Sequence, residues 1–301
     1  MTINSKKNII RNKQSKIIIG TAQLGLKYGI ANKTGKMKIS EIKKIKNIAT
    51  NKGVNFFETA HSYGSSEKIL GSIGMKNMNV ITKLPLVMPK IKTKKWLDLS
   101  IQNSMKNLKI KKLYAVMIHN SKQLNGKKGL ELFNSLSELK KMNKIKKIGV
   151  AVYTVNELKK LLKKFKFDLV SIPYSVFDER FTNSGLINRM KKMNIDIYAR
   201  SIFLQGLLLM KKNERPKIFK KCEQLLNQWD HFIKKNKLSK IEYCLNFVLN
   251  NPNINKVILG FDNHIHFKNV LKSIRGSGIP LVKFNSTDTS KIIDARKWKI
   301  I

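Results

Sequence analysis

The stretch Val54–Gly71, with the sequence VNFFETAHSYGSSEKILG, decides how the rest of the chain is interpreted. Its first four residues, Val54–Phe57, form a short and mainly apolar run, which is typical of a buried strand. Glu58 and Tyr63 follow, and the GSS tripeptide at residues 64–66 leads into a predicted helix that ends at Gly71. An α/β enzyme places its chemistry in such loops, after the carboxyl ends of its strands. A polar loop that only caps a helix would have the same pattern, so the neighbouring strands must decide.

Strand and helix patterns alternate along the whole chain. Capping boxes at Thr154–Glu157 and Ser239–Glu242 mark two helix starts, the second within a helical region from Pro216 to Asn250. Regular alternation of this kind predicts a (β/α)8 TIM barrel with parallel strands. An open doubly wound sheet is the competing fold, but it would normally bring a G-x-G-x-x-G loop, which this sequence lacks. The predicted strands lie within residues 16–25, 54–57, 80–85, 113–118, 147–152, 168–173, 196–199 and 256–260.

Length and composition favour one globular domain. The 301 residues are 42% hydrophobic, and we expect a single domain over residues 1–301, with the core barrel over 15–275 and a tail over 276–301. The formal charge of +43 comes overwhelmingly from lysine, since the chain has seven arginines. Arginine is favoured for bidentate phosphate and base contacts, so its scarcity argues against a specific nucleic-acid partner. Lysine recurs in every helical segment, which indicates a solvated surface with weak attraction to polyanions.

The sequence predicts neither a membrane partner nor a metal site. No apolar run approaches the roughly 20 residues that span a bilayer, and the N-terminus lacks the apolar centre of a signal peptide, so we expect a cytoplasmic protein. Cys222 and Cys244 lack metal-site spacing, and a disulfide is not expected in a reducing compartment. The His264-x-His266 pair has no Cys or carboxylate partner that suggests a metal site. The oligomeric state is left open.

A barrel brings the carboxyl ends of all its strands to one face, so Glu58, Tyr63, Lys83 and His119 are predicted to converge. A free tyrosine has a pKa near ~10, and an adjacent ammonium such as that of Lys83 is expected to lower it. Glu58 would keep the lysine charged, and His119 would donate a hydrogen bond to a carbonyl oxygen. Tyr63 would then protonate that oxygen as hydride arrives at carbon from a cofactor, because no side chain donates hydride.

These residues resemble the motifs of the aldo-keto reductases, and the resemblance extends along essentially the whole chain. The family pattern D-T-A-x-x-Y-G stands here as E-T-A-H-S-Y-G over residues 58–64, followed by the strand-three lysine and the strand-four histidine. Further blocks occur in the family's order at residues 20–25, 149–150, 173–180, 200–206 and 260–263. The resemblance implies NAD(P)H-dependent reduction of an aldehyde or ketone substrate. The cofactor would be NADPH or NADH, bound across the barrel mouth without a Rossmann unit.

The same resemblance implies a set of cofactor-binding residues around the barrel mouth. Gly260 would let the backbone approach a phosphate, and a helix starting near Asn263 would offer unpaired N–H groups. Simple helix capping is the alternative for this loop, and for Lys268 and Asn269 individually it explains the sequence as well as binding does. Lys268 and Asn269 match positions near the adenosine in the family. The complete implied set is Gly20, Thr21, Ala22, Ser171, Arg200, Ser201, Phe203, Leu204, Gly206, Gly260, Asn263, Lys268 and Asn269.

Several positions depart from the family pattern. Glu58 replaces the family's Asp, and Ala151-Val152 replaces a Ser-Asn pair that holds the carboxamide in many members. Ser171 stands at the usual Gln position, and Arg200 stands where many relatives place an aromatic ring under the nicotinamide. These departures motivate an alternative function, a cofactor-binding sensor or scaffold with little turnover. For the reductase, relatives with similar blocks suggest a sugar-derived carbonyl substrate.

Overall fold

Eight parallel strands close into a barrel in the order of the sequence, and the last strand pairs with the first. The structure is a computed structural model that describes residues 3–87, 91–276, 279–280, 282, 284 and 289–298. The closed parallel barrel confirms the predicted (β/α)8 fold. The strands are β1 Ile17–Gly20, β2 Phe56–Glu58, β3 Asn79–Lys83, β4 Leu113–Ile118, β5 Ile145–Ala151, β6 Leu169–Pro173, β7 Asp196–Arg200 and β8 Lys256–Gly260.

Helices surround the barrel and connect its strands. Within the described residues they are α1 Ile3–Ser15, α2 Ala22–Gly25, α3 Ile39–Asn51, α4 Ser66–Ser72, α5 Thr93–Leu108, α6 Gly126–Lys141, α7 Val155–Leu161, α8 Arg180–Asn183, α9 Leu186–Lys192, α10 Glu223–Lys235, α11 Lys240–Leu249, α12 His264–Lys272 and α13 Thr289–Ile292. Short 3-10 helices lie at Ser121–Leu124, Leu204–Leu209, Lys212–Glu214, Lys217–Cys222 and Ala295–Lys297. None of the helices in the described part of the chain is long and apolar enough to cross a membrane.

The predicted helix starts are confirmed where side-chain capping decides them. The Thr154 hydroxyl accepts from the Glu157 N–H at 3.2 Å, and the Ser239 hydroxyl accepts from the Glu242 N–H at 3.1 Å. The long helical region is divided as predicted, because α10 ends at Lys235 and α11 begins at Lys240. Its first residues form a 3-10 helix instead of an α-helix.

Helix α1 precedes the barrel and was not predicted from the sequence. Its sequence is strongly polar, so it lacks the periodic apolar stripe that reveals most surface helices. The Lys13 ammonium fixes it to the barrel by donating to the Asn250 side chain at 2.6 Å and to the Arg275 carbonyl at 2.8 Å. Long-range contacts of this kind leave no local signal in a sequence.

The two-residue period of the strands determines what faces the barrel interior. The lower interior is a buried cluster composed of Ile18, Phe56, Ile81, Ala115, Met117, Ala151, Leu169 and Tyr198. Two residues closer to the carboxyl end, several of these strands carry another residue that faces the barrel interior. Together these residues form the carboxyl-end layer. That layer contains Gly20, Glu58, Lys83, His119, Ser171, Arg200 and Gly260. The pleat therefore places a ring of mainly polar residues directly above an apolar core.

Candidate active site

A tyrosine, a lysine and a glutamate form a continuous contact at the barrel mouth. The Lys83 ammonium donates a hydrogen bond to the Tyr63 hydroxyl at 2.8 Å and forms an ion pair with the Glu58 carboxylate. The side chains of Lys83 and Glu58 are only 4% and 5% exposed. They lie on the neighbouring strands β3 and β2. The structure thus brings together three of the predicted catalytic residues.

The Tyr63 loop is held by backbone contacts on both sides. The His61 N–H donates to the Lys83 carbonyl at 3.1 Å, which continues the ladder between β2 and β3 into the loop. Gly25 lies against the other side, where a Cβ atom would stand 1.7 Å from the Tyr63 carbonyl oxygen. This close approach of two chain segments requires glycine at position 25.

We expect Gly25→Ala to lower both stability and activity, because the added methyl group would displace the Tyr63 loop. Overpacking of this kind costs about 1–3 kcal/mol of unfolding free energy, and a ~1 Å displacement of a reacting group can cost about 10²-fold in rate. Urea unfolding and steady-state reduction of a carbonyl compound would measure the two effects. Gly276→Ala is the matched control, since the nearest atom to its Cβ would lie at 3.6 Å. Equal behaviour of the two variants would contradict this prediction.

His119 lies beside Tyr63 as an uncharged imidazole. The two rings are perpendicular with centroids 6.2 Å apart, and His119 Nδ1 is 3.4 Å from the Ser62 hydroxyl. Burial, followed by the charges of Lys83 and Arg200, lowers the pKa of His119 to about 4. A neutral imidazole at neutral pH can donate one hydrogen bond to a carbonyl oxygen without giving up a proton.

This lowered pKa predicts a pH-dependent stability. The unfolded chain takes up a proton at His119 near pH ~6.5 while the native state does not, so native stability is complete above that pH and falls as pH drops toward 4. We expect wild type to lose on the order of 2 kcal/mol relative to His119→Gln over this window. Urea unfolding of both proteins at pH 7, 5.5 and 4.5 would measure the difference. A difference independent of pH would contradict the assigned neutral imidazole.

The expected lowering of the Tyr63 pKa is wrong. Burial raises the pKa of the Tyr63 phenol above its ordinary value, and the smaller effect of Arg200 does not reverse this. Burial also lowers the pKa of Lys83 well below its usual range, with Arg200 acting in the same direction, whereas the adjacent Glu58 carboxylate favours the charged form. Removal of the phenol from solvent disfavours its charged form more strongly than the adjacent ammonium favours it. Tyr63 is therefore fully protonated at neutral pH.

The predicted cofactor residues of β1, β6 and β8 lie at the barrel mouth. Gly20 and Gly260 are register partners at the ends of β1 and β8. A Cβ atom on Gly260 would lie 2.4 Å from the Gln23 side-chain nitrogen, so glycine makes room for this amide. The buried Gln23 Oε1 and Ser171 Oγ have no hydrogen-bond partner in the described structure. Buried polar atoms without a hydrogen-bond partner, located at the barrel mouth, fit the binding of a polar group such as a carboxamide.

Thr21 and Ala22 are buried next to this layer, and their predicted roles in cofactor binding remain predictions. The Thr21 hydroxyl is fully buried, donates to the Glu58 carbonyl at 2.9 Å and contacts the Ser66 hydroxyl at 2.8 Å. These bonds connect the end of β1 to the Tyr63 loop. Ala22 is 7% exposed and begins α2.

The loop after β7 has an unusual backbone. Ser201, Leu204 and Gln205 adopt φ values of 61°, 45° and 54°, and Gly206 adopts 97°. Left-handed conformations at non-glycine residues are costly and cluster at functional sites. Leu204 is 2% exposed, so its side chain belongs to the core, whereas Phe203 is only partly buried. The predicted cofactor roles of Ser201, Phe203, Leu204 and Gly206 remain predictions.

At the start of α12, capping is observed directly. The Asn263 side chain accepts from the His266 N–H at 2.9 Å, and the Glu41 carboxylate accepts from the His264 N–H at 2.9 Å. The backbone and side chain of His264 lower the pKa of Glu41 to about 2. Lys268 and Asn269 are exposed on the outer part of this helix. Asn263 therefore caps the helix, and the predicted cofactor roles of Asn263, Lys268 and Asn269 remain predictions.

Tertiary contacts add residues that sequence reasoning missed. The Tyr153 ring, just after β5, carries the guanidinium of Arg200 at 4.0 Å and that of Arg296 at 3.7 Å. Burial raises the pKa of the Tyr28 phenol, and the charges of Arg200 and Tyr153 have smaller effects on it. The position of Tyr153 directly after a predicted strand was a usable signal. The sequence contains no such signal for Arg296, because this residue belongs to the C-terminal tail and does not follow a barrel strand.

The chain resembles known proteins in both sequence and structure. A family model described as "Aldo/keto reductase family" matches residues 16–277. A curated aldo-keto reductase from Gibberella moniliformis is 26% identical over 200 residues, which are 63% of this chain and about 60% of the length of that relative.

Solved structures show the same barrel. An aldo-keto reductase from Bacillus halodurans in its holo form superposes with a TM-score of 0.73 at 15% identity, covering 94% of this chain and 94% of that chain. A glycerol dehydrogenase from Gluconobacter oxydans superposes with a TM-score of 0.67 at 16% identity, covering 92% of this chain and 90% of that chain. The fold, the convergence of Tyr63, Lys83 and Glu58, and the match over residues 16–277 lead to one conclusion: the chain belongs to the aldo/keto reductase family of oxidoreductases.

Proposed function

We propose that this chain catalyses the NAD(P)H-dependent reduction of an aldehyde or ketone, with Tyr63 as the proton donor. The observation that carries the proposal is the hydrogen bond of 2.8 Å from the Lys83 ammonium to the Tyr63 hydroxyl, in a pocket that also holds a neutral His119. Family membership supports the same oxidoreductase class.

Tyr63 provides the proton, and Lys83 stabilises the negative charge that remains on Tyr63 after the proton has been transferred. The substrate's carbonyl oxygen would accept hydrogen bonds from the Tyr63 hydroxyl and from His119, which polarises the carbonyl. Reduced nicotinamide, when bound, supplies the hydride that adds to the carbonyl carbon. As charge develops on the oxygen, Tyr63 transfers its proton, and the Lys83 ammonium stabilises the phenolate that remains. Glu58 compensates the buried charge of Lys83 throughout.

The raised pKa of Tyr63 is compatible with this role. A donor must hold its proton until the oxygen becomes basic, and the buried phenol does so at neutral pH. An alkoxide is far more basic than phenolate, so transfer remains downhill once hydride has moved. The hydrogen bond from the Lys83 ammonium to Tyr63 matters mainly in the transition state. There the positive charge offsets the desolvation that raises the pKa of Tyr63.

Residues of the mouth fit a dinucleotide, either NADPH or NADH. Gln23 and Ser171, whose side-chain oxygens are orphaned, would bind the carboxamide, while the strained backbone after Arg200 and Gly260 at the end of β8 would approach the phosphates. The proposed partners are a small-molecule carbonyl compound and no specific nucleic acid. We propose a sugar-derived carbonyl in the cytoplasm; a glycerol dehydrogenase is among the structural neighbours.

A cofactor-binding sensor or scaffold is the second candidate function. Ala151 and Val152 are buried and apolar, so their side chains cannot hold a carboxamide by hydrogen bonds. Addition of NADPH or NADH while Trp fluorescence is recorded tests cofactor binding, and a panel of aldehydes and ketones with cofactor oxidation as readout tests turnover. Binding with turnover supports the reductase. Binding without turnover of any carbonyl supports the sensor, and absence of binding to either cofactor contradicts both.

A further inference from the structure

The loop that carries Tyr63 is closed at its base by two buried hydroxyl groups. Thr59 follows β2 at the start of the loop, and Ser66 begins α4 at its end, seven positions further along the chain. The Thr59 hydroxyl donates a hydrogen bond to the Ser66 hydroxyl at 3.0 Å. Both residues are 0% exposed, so solvent does not compete for this bond. The start and the end of the loop are therefore joined directly to each other.

A third hydroxyl fixes this base to the end of β1. Thr21 directly follows that strand and is also fully buried. Its Oγ1 atom lies 2.8 Å from Ser66 Oγ and donates to the Glu58 carbonyl at 2.9 Å. The Ser66 hydroxyl also lies 3.1 Å from the Thr21 carbonyl. We call Thr21, Thr59 and Ser66 the hydroxyl network, and it connects β1, the end of β2 and the first turn of α4.

Each hydroxyl has one proton, and this determines the direction of the bonds in the hydroxyl network. The proton of Thr21 is used for the Glu58 carbonyl, so Ser66 donates to Thr21. Ser66 in turn accepts the proton of Thr59. The series of bonds thus begins at Thr59 and ends on the backbone of Glu58. Because all three groups are buried, removal of one hydroxyl leaves a neighbouring group without its hydrogen bond.

The hydroxyl network reaches the proposed catalytic residues at two points. It ends on the backbone of Glu58, whose carboxylate pairs with the Lys83 ammonium. It also holds Ser66, whose N–H donates to the Tyr63 carbonyl at 3.0 Å. The hydrogen bond of 2.8 Å from the Lys83 ammonium to the Tyr63 hydroxyl therefore lies between two segments that the network fixes relative to each other.

We propose that Ser66, at the centre of the hydroxyl network, is a positioning residue that holds the Tyr63 phenol where it transfers its proton. The inference rests on the proposed reductase function and adds a residue that acts through Tyr63. Proton transfer requires precise placement, since a ~1 Å displacement of a reacting group can cost about 10²-fold in rate. A hydroxyl that served folding alone would affect stability without acting specifically through the phenol.

A double-mutant cycle between Ser66→Ala and Tyr63→Phe tests this role. We would measure a single turnover of a reactive aldehyde by wild type, the two single variants and the double variant. Each rate is normalised to the cofactor-binding sites counted by Trp fluorescence, so an unfolded fraction does not contribute. We expect Ser66→Ala to slow the reaction by about 10-fold or more when Tyr63 is present, and by less than about twofold in the Tyr63→Phe background.

Three further variants control for packing. Thr59→Val removes a hydroxyl of the network and nearly keeps the shape of the side chain, so it should repeat the effect of Ser66→Ala. Thr59→Ser keeps the hydroxyl and should retain most of the rate. Ser100→Ala is the matched control, because the buried Ser100 hydroxyl donates to the Trp96 carbonyl at 2.8 Å within α5. It should change the rate by less than about twofold in either background.

Two results would overturn the proposal. Equal losses from Ser66→Ala with and without the phenol would show that the serine does not act through Tyr63. Undiminished rates in both Ser66→Ala and Thr59→Val would show that the network does not determine the position of the phenol. If Ser66→Ala does not fold, the cycle is measured with Thr59→Val, and the same outcomes decide.

Failure of the reductase function can be distinguished from failure of this inference. If wild type does not reduce the aldehyde, fluorine NMR of the protein labelled with 3-fluorotyrosine still reports the position of the phenol. The signal of Tyr63 is identified as the one missing from Tyr63→Phe. We expect Ser66→Ala and Thr59→Val to displace this signal and Ser100→Ala to leave it unchanged. A Tyr63 signal identical to that of wild type in both network variants would overturn the positioning role.

Discussion

Tyr63→Phe is expected to lower kcat for carbonyl reduction by about 10³-fold while cofactor affinity changes by less than about twofold. The phenol provides the proton, and removal of a general acid costs roughly 10²–10⁴-fold. The ring fills the same volume in the variant, and Lys83 retains its ion pair with Glu58, so the pocket keeps its shape and charge. Single-turnover reduction of a reactive aldehyde, with cofactor binding measured separately by Trp fluorescence, would test this result.

The control for Tyr63→Phe is a variant that changes the same loop but keeps the phenol proton of Tyr63. Ser62→Ala is suitable, because Ser62 is exposed and its hydroxyl lies 3.4 Å from His119 Nδ1, so little packing is lost. We expect this variant to lose far less activity than Tyr63→Phe. A loss below about 10-fold in Tyr63→Phe would show that another group or a water molecule protonates the product.

The architecture of the barrel could be predicted from the sequence because its strands are short, mainly apolar segments that alternate with helical patterns. Strand β4 has the predicted bounds, Leu113–Ile118, and β8 does as well. Strand β2 extends to Glu58, one residue beyond its predicted end, because the ladder with β3 continues past the apolar run. Helix α1 was missed because it is polar and depends on distant contacts.

The sequence predicted which residues converge at the candidate site only where the strand topology determines their positions. The rule that parallel strands end on one face was enough to bring Glu58, Lys83 and Tyr63 together, and the structure shows them in contact. The direction of the Tyr63 pKa shift was not predictable in this way, because it depends on how much solvent the pocket excludes. The position of Arg296 on the Tyr153 ring required the path of the tail, which local sequence does not encode.

Lys83→Met is expected to destabilise the protein by about 3–5 kcal/mol at pH 7 and to abolish most activity. The substitution leaves the buried Glu58 carboxylate, 5% exposed, without its counter-ion, and breaking one side of a buried ion pair is strongly destabilising. It also removes the ammonium that stabilises the Tyr63 phenolate. Urea unfolding and kcat measured on the same preparations would separate the structural loss from the catalytic loss.

The double variant Lys83→Met with Glu58→Gln decides between the two roles of the pair. Since the neutral amide needs no counter-ion, we expect the double variant to recover most of the lost stability but none of the lost activity. Recovery of both would mean that Lys83 serves only to neutralise Glu58, and recovery of neither would mean that its packing is what matters. The stability of the protein depends on the contact of Lys83 with Glu58, whereas the rate depends on its contact with Tyr63. Comparison of the single and double variants therefore tests whether the contact with Tyr63 is itself catalytic.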